Sequence, residues 1–277
     1  MLNLQDKVVL ITGSGRRNGI GAAIAKKFFH CGAKIFLTDI GFSKGSKFSK
    51  ENIGTLNELK DVSFDISPKS ENVSFDACDV LNENEVSKTI DLVVKKFGKL
   101  DILVNNAGVG YLMGPIVNCS KEDWDTVMNV NLRGVFFGIK HAAKQMIVQR
   151  TGGRIINIAS QASKRGFKYM SAYVSSKHGV VGLTRTAAIE FGKHGINVNS
   201  ICPNHITTGL GSSQNQFRAR ELGVTVEKLL NQRKDQIPLG RVGKVEDISN
   251  LCIFLCSQSG NYITGQNIDV SGGQEMH

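Results

Sequence analysis

No stretch of this sequence approaches the roughly 18 consecutive apolar residues that a helical membrane span requires, so a membrane partner is not expected. The first residues, Met1 to Lys7, run straight into a strand pattern without the basic and apolar regions of a secretory signal, which predicts a cytoplasmic protein. The six cysteines (Cys31, Cys78, Cys119, Cys202, Cys252, Cys256) include no C-x-x-C pair and no metal-ligand spacing. Cys252 and Cys256 are instead expected as two buried thiols on one helix face. The net charge of +10 is spread along the chain, with no basic arm or nucleic-acid motif. A solvated surface and a phosphate-bearing cofactor account for that charge, and nucleic acid is not expected as a partner. A linker rich in Pro, Gly or Ser is absent, as is any internal repeat.

What is present is hydrophobic content of 41 %, enough for one sizeable core in 277 residues. β-branched apolar runs alternate with helical patterns, the signature of βαβ units and a parallel sheet. Strands are expected over 7–12, 34–39, 73–77, 101–104, 154–158, 197–201 and 267–270. Helices are expected near 20–31, 83–97, 122–149, 173–192 and 245–257. The pattern describes one α/β domain over 1–277: a doubly wound, Rossmann-type sheet of seven parallel strands with helices on both faces. Two segments break the rhythm. Residues 41–72 are polar and are expected to hold a short helix near 51–60 and a surface excursion. Residues 209–236 follow a strand's C-terminal end, which favours a substrate lid over a plain surface helix.

The first strand opens into Gly13-Ser-Gly-Arg16-Arg17-Asn18-Gly19-Ile20-Gly21 and then a helix. Glycines let the backbone approach a pyrophosphate, and the helix N-terminus supplies N–H donors and a positive dipole end. Strand 2 ends at Asp39, eighteen residues past Gly21, where a carboxylate can accept from both adenosine ribose hydroxyls and repel a 2′-phosphate. That favours NAD. Arg16 and Arg17 pull the other way, because guanidinium groups beside the loop could hold the phosphate of NADP.

Tyr173 and Lys177 lie four apart on a helical pattern, which places phenol and ammonium on one face. A phenol with a free pKa of about 10 needs help to act near neutral pH, and an adjacent ammonium lowers that value. Tyr173 can then exchange a proton with an alcohol or ketone oxygen while a nicotinamide exchanges hydride. Ser160, thirteen residues earlier at the end of strand 5, is placed to hydrogen-bond the same oxygen. Asn131 is a further polar group on an apolar helix, either part of this constellation or a helix-bending amide satisfied by the backbone.

Together with Thr12-Gly13, Cys78-Asp79-Val80, Asn105-Asn106-Ala107-Gly108, Pro203 with Thr208, Ile263-Thr-Gly265 and Gly272-Gly273, these residues resemble a short-chain dehydrogenase/reductase over essentially the whole chain. The resemblance implies NAD(P)-dependent hydride transfer between nicotinamide and a secondary alcohol or ketone. It implies that Asp79 and Val80 contact adenine, while Asn105, Asn106, Ala107 and Gly108 line the adenosine ribose side and stabilise the sheet. It makes Asn131, Ser160, Tyr173 and Lys177 the catalytic set, with Asn131 holding a water in a proton relay through Lys177. Lys177 also binds the nicotinamide ribose. Pro203, Ile206 and Thr208 would border the nicotinamide carboxamide. Relatives commonly assemble as homotetramers through the helices near 122–149 and 173–192 and the last strand.

Two departures stand out. From Gly13 to Gly19 the loop spans six positions, longer than the family's pattern, and Asn204-His205 follows Pro203 where the family has Gly. His205 is either a substrate contact or a loop bystander. The expected small-molecule pocket draws on 109–115, 161–170 and the segment after Thr208, which is rich in Ser, Asn and Gln with Arg218 and Arg220 nearby. Buried amides need partners, which a polyhydroxylated substrate supplies. The ending Gly-Gln-Glu-Met-His resembles the family's sugar-alcohol (polyol) dehydrogenases. A 3-oxoacyl-thioester (acyl-carrier-protein) reductase is the alternative enzyme, and a nucleotide-sensing protein on the same fold the alternative of another class.

Overall fold

The computed structural model describes residues 3–41, 54–68, 71–110, 113–206 and 208–276. Seven strands, β1 (Val8–Ile11), β2 (Lys34–Asp39), β3 (Val73–Ala77), β4 (Ile102–Asn105), β5 (Gly153–Ile158), β6 (Ile196–Pro203) and β7 (Asn267–Val270), form one sheet in the order β3-β2-β1-β4-β5-β6-β7. Every neighbouring pair is parallel. Helices α1 (Ile20–His30), α2 (Leu56–Ile66), α3 (Glu83–Phe97), α4 (Lys121–Met128), α5 (Gly134–Gln149), α6 (Ser171–Phe191), α7 (Gly209–Glu221), α8 (Val226–Gln236) and α9 (Val245–Cys256) connect them. This is the doubly wound sheet expected from the alternating pattern.

The sheet is covered on both faces, so its strands read as continuous apolar runs rather than alternating ones. Period-two geometry divides them: Val9, Ile11, Ile35 and Leu37 pack with Ile24 and Phe28 of α1 and Ile248 and Cys252 of α9. Val8, Leu10, Leu103 and Ile155 pack on the other face with Ile90, Ile139, Met146 and Val180. Burying a side chain such as Phe28 contributes about 1.5–3 kcal/mol. Cys252 and Cys256 are buried on α9, and all six cysteines are free thiols.

Most elements fall within two residues of expectation. The helix expected near 51–60 is instead α2 over Leu56–Ile66, with 42–53 outside the described residues. Its start is set by a capping box, in which Thr55 Oγ1 accepts from Glu58 N and the Glu58 carboxylate accepts from Thr55 N. The long helix expected over 122–149 is found as one continuous helical run with a π-helical turn at Asn129–Arg133 between α4 and α5. Residues 209–236 form the two helices α7 and α8, capped by Thr208 and Thr225.

Successive strands are added on one side of β1 up to β3 and on its other side from β4 onward, and at such a switch point between β1 and β4 the strands' carboxyl ends leave a crevice.

Candidate active site

A cavity of about 900 Å³ occupies that crevice, running from the N-terminus of α1 to α7 and α8. At its floor the ends of β1 and β4 are clamped together. Asn106 Nδ2 donates to the carbonyls of Thr12 (2.9 Å) and Gly13 (2.7 Å), while Thr12 Oγ1 accepts from Asn106 N and Ala107 N, both at 3.1 Å. Gly13 has φ of +64°, and a Cβ there would lie 2.6 Å from Ala107 Cα. Gly21, expected against the cofactor, does not line the cavity. A Cβ on it would meet Asn106 Nδ2 at 2.7 Å and Gly13 O at 2.8 Å, so its role is close packing of α1 onto the turn.

Gly13, Arg16, Asn18, Gly19 and Ile20 do line the cavity, and the longer loop closes through Gly19 N donating to Arg16 O (2.9 Å). Helix α1 starts at Gly19 with no side-chain cap and no acid in its first turn. Its first N–H groups are therefore available to an anion, and the residues present fit a dinucleotide's pyrophosphate.

At the β2 end, Asp39 Oδ2 accepts from Gly15 N (2.9 Å), and Oδ1 accepts from Ile40 N (2.9 Å) and Gly54 N (3.3 Å). Burial pushes its carboxyl pKa up, against the pull of those three N–H groups and the Arg16 charge. Oδ1 already accepts twice, while Oδ2 retains capacity for a second donor, which suits a ribose hydroxyl. Arg17, which also lines the cavity, forks onto Asp65 of α2 at 2.7 and 3.2 Å. Asp79 and Val80 continue the wall, with Val80 seated against Gly134. Cys78 beside them is pushed up to about 11 by burial and remains a thiol.

Toward the middle, α6 presents Tyr173 and Lys177 to the same cavity as Ser160, which ends β5. The Ser160 hydroxyl lies close enough to the Tyr173 hydroxyl to pull its pKa down. Ser160 Oγ also accepts from Ala162 N (3.1 Å), which fixes its rotamer. Lys177 Nζ donates to Ile158 O at 2.8 Å and lies 5.8 Å from the Tyr173 ring centre. The expected acidification of the phenol by Lys177 is not found. Burial raises the Tyr173 pKa, offset only by the Ser160 hydroxyl, because the ammonium is turned to a carbonyl rather than to the phenol oxygen. The same burial lowers Lys177 from its ordinary 10.5 to about 8.

That depression has a measurable sign. Between pH 8 and 10.5 the unfolded chain still holds the Lys177 proton that the folded chain has released, so folded stability rises with pH across that window. Relative to Lys177→Met, the wild type is expected to gain stability from about pH 8 to about pH 10.5 in denaturant titrations. A difference that stays flat would contradict the burial of a titrating amine.

Asn131 does not line the cavity. Wholly buried in the π-helical turn, its Oδ1 accepts from Val109 N (2.8 Å) and its Nδ2 donates to Val109 O (2.8 Å) and Ser176 Oγ (3.2 Å). It thus pins the loop after β4 to α6. A Cβ on Gly108 would lie 3.2 Å from Asn131 Oδ1 and 3.7 Å from Lys177 Nζ, so amide and amine flank one glycine. Ala107 and Gly108 line the cavity. Asn105 instead runs inward, its amide donating to Asn157 Oδ1 (2.8 Å), whose amide donates to Thr184 Oγ1 (2.9 Å). The buried Asn157 was missed from sequence, although an amide inside a wholly apolar strand was a usable signal.

Beyond β6 the wall is made by Pro203, Asn204, His205, Ile206 and Thr208, with Thr207 outside the described residues. Thr208 Oγ1 caps α7 by accepting from Gly211 N (3.2 Å). Asn204, in the family's glycine position, donates to the Gln274 side chain, while its buried Oδ1 has no hydrogen-bond partner among the described residues. His205 lines the cavity as a neutral imidazole, pushed down to about 3 by burial first and then by Arg233 and Arg165. Residues 111–112 of the expected pocket lie outside the described residues, and Met113 lines it. Tyr169, with φ of +70°, sets its ring edge-on to Phe217 of α7, and Gln214 donates to Gly110 O (3.3 Å). Helix α7 thereby contacts both the loop after β4 and the segment leading into α6. Among the described residues no His/Cys/Asp/Glu group is arranged for a metal, and no helix is long and apolar enough to cross a membrane.

A parallel doubly wound sheet with an open helix N-terminus at its switch point, facing a half-buried Tyr and a buried Lys and Ser, defines a nucleotide-dependent redox fold. The family described as enoyl-(acyl carrier protein) reductase matches residues 13–275. A short-chain dehydrogenase/reductase of Armillaria gallica is 38 % identical over 269 residues, covering 97 % of this chain and 96 % of that protein. Galactitol 2-dehydrogenase of Agrobacterium fabrum is 33 % identical, covering 99 % of this chain and 100 % of the relative. The solved structure of NAD+-bound xylitol dehydrogenase superposes with a TM-score of 0.87 at 30 % identity, over 97 % of this chain and 99 % of that one. The chain belongs to the short-chain dehydrogenase/reductase family. It is an NAD(P)-dependent alcohol dehydrogenase or ketone reductase of that type.

Proposed function

We propose that the protein transfers hydride between NAD and a secondary alcohol of a polyol or sugar-like substrate, with Tyr173 as proton carrier. The observation that carries the reading is that Tyr173, Ser160 and Lys177 line one cavity continuous with the open end of α1. The bound nicotinamide supplies or accepts the hydride. Tyr173 Oη gives its proton to a carbonyl oxygen in reduction and takes one in oxidation. Ser160 Oγ donates to the same oxygen and fixes its position. Lys177, with one donor on Ile158 O, has two left for the nicotinamide ribose and for a proton relay. Asn131 acts by holding the Val109 loop and Ser176 beside that ammonium.

Gly13, Gly19, Ile20 and Asn18 would hold the pyrophosphate, and Asp79, Val80 and Asn106 would border the adenosine. Pro203, Ile206 and Thr208 would border the carboxamide, on the same domain spanning 1–277. NAD over NADP is supported by Asp39 at the β2 end and by Arg17's engagement with Asp65. Asp39→Ala is expected to move the NADP-to-NAD ratio of kcat/KM upward by about tenfold or more, since removing one misplaced charge is worth at least about 1.4 kcal/mol. Steady-state kinetics with both cofactors check it.

The polyol assignment is supported by Gln161 and Asn204, which both line the cavity and whose buried side-chain oxygens have no hydrogen-bond partner among the described residues. A rotation of either amide toward the cavity would bring its oxygen within reach of substrate hydroxyls. Helices α7 and α8 then serve as the lid. A panel of galactitol, xylitol and sorbitol with NAD, set against acetoacetyl-thioester with NADPH, tests the reading. Turnover of the thioester alone would sink it.

Assembly as a homotetramer is supported by exposed apolar side chains on α5 (Phe136, Val148) and α6 (Ile189), and by Tyr262 before β7. Sedimentation velocity is expected to give four chains, with Phe136→Glu shifting the distribution to smaller species because it would bury a charge at the interface.

A further inference from the structure

The charges lining the cavity are sorted by position. Its carboxylates, Asp39, Glu58, Asp61 and Asp79, all lie at the β2 and β3 end. The end beyond Tyr173 has four cations, Arg165, Lys168, Arg218 and Arg233, and no carboxylate among its lining residues. Two of the four are accounted for within the protein. Arg165 Nε sits 2.7 Å from Glu275 Oε1, and the exposed Lys168 lies over the Tyr169 ring at 4.5 Å. Arg218 of α7 and Arg233 of α8 are half-buried, and among the described residues neither has a carboxylate within ion-pair distance. Arg233 is braced by donating to Asn215 Oδ1. The pair repel each other across the α7–α8 contact, and the neutral His205 between β6 and the lid feels the charges of Arg233 and Arg165.

Holding two like guanidinium groups partly out of water is unfavourable until an anion joins them. A planar fork of N–H donors matches an oxyanion, and two forks match one bearing several oxygens.

We propose that the substrate of this site carries a terminal oxyanion, a phosphate ester or a carboxylate, gripped by Arg218 and Arg233 while its secondary hydroxyl faces Tyr173 and Ser160. The proposal rests on the hydroxy-substrate reading above and narrows it from neutral polyols to anionic ones. The lid supplies both arginines, so its closure and recognition of the anion are one event. Arg165 with its Glu275 partner forms a fixed edge rather than a third anion contact.

The test compares three matched substrates with NAD: sorbitol, sorbitol 6-phosphate and gluconate, and likewise galactitol, galactitol 6-phosphate and galactonate. An anionic member is expected to exceed its neutral parent in kcat/KM by about tenfold or more, chiefly through KM, and the two anionic arms tell phosphate from carboxylate. Arg218→Gln and Arg233→Gln are each expected to shrink that advantage by about tenfold to a hundredfold, the scale of a lost charge-assisted hydrogen bond. Arg218→Lys and Arg233→Lys should keep part of it, and thermal unfolding of all four variants identifies any that fail to fold. Equal or better turnover of the neutral parents, or an advantage surviving both glutamine substitutions, would overturn the proposal. So would an anion preference seen only on a thioester carried by an acidic carrier protein.

If none of the six compounds is oxidised, calorimetry on the NAD-loaded protein separates the two readings. Binding of sorbitol 6-phosphate or gluconate that is lost in Arg233→Gln would keep the anion site and reject polyol oxidation. No binding of either anion would reject the anion site itself.

Discussion

Tyr173→Phe is expected to lower turnover by roughly 10²–10⁴ while leaving cofactor affinity nearly unchanged, the scale of a lost general acid/base. The substitution removes one oxygen and keeps the ring. That ring packs with Val109, Val130 and Ala172, and its Cε2 lies 3.0 Å from where a Cβ on Gly110 would sit. Packing therefore survives, and a loss of about 3–5 kcal/mol in barrier stabilisation can be assigned to the proton step. Stopped-flow or steady-state rates with NAD titrations check both halves. Activity equal to the wild type would remove Tyr173 from the mechanism. Because burial raises the phenol's pKa, oxidation by the wild type is also expected to quicken as pH rises, since the base form must be populated.

Gly13→Ala is expected to destabilise the protein by about 2–5 kcal/mol and to weaken NAD binding in parallel. Two costs combine. A left-handed backbone costs a residue with a Cβ about 1–2 kcal/mol. The added carbon would also meet Ala107 Cα at 2.6 Å and Ala107 N at 2.9 Å, both backbone atoms held by Thr12 and Asn106. Neither can swing aside as a side chain would, so overpacking adds about 1–3 kcal/mol. Denaturant midpoints measure the first effect and calorimetric NAD titration the second. A variant with the wild-type midpoint would mean that the β1 and β4 turns yield more easily than their hydrogen bonds imply.

The fold was legible because its signals are local or periodic. Apolar runs such as Val8–Ile11 and Ile102–Val104 give strands buried on both faces, and the spacing Gly21, Ile24, Ala25, Phe28 gives one buried face of α1. Where expectation slipped, a local competitor had been overlooked. The capping box at Thr55 and Glu58 placed α2 five residues later than expected, and a π-helical turn that holds Asn131 against Val109 lies inside the expected 122–149 helix.

Residue types at fixed offsets, the glycine turn followed by a helix and the Tyr–Lys pair one turn apart, were enough to name the chemistry, because covalent neighbours on a helix or turn hold their geometry wherever the chain goes. Which way the side chains finally face depended on contacts between distant segments. Lys177 turned to Ile158 rather than to the phenol, Arg17 paired with Asp65, and Gly21 packed against Asn106 rather than facing the cavity. Those partners lie 19, 48 and 85 residues away, and burial, field and hydrogen-bond competition at such separations exist only once the sheet has closed.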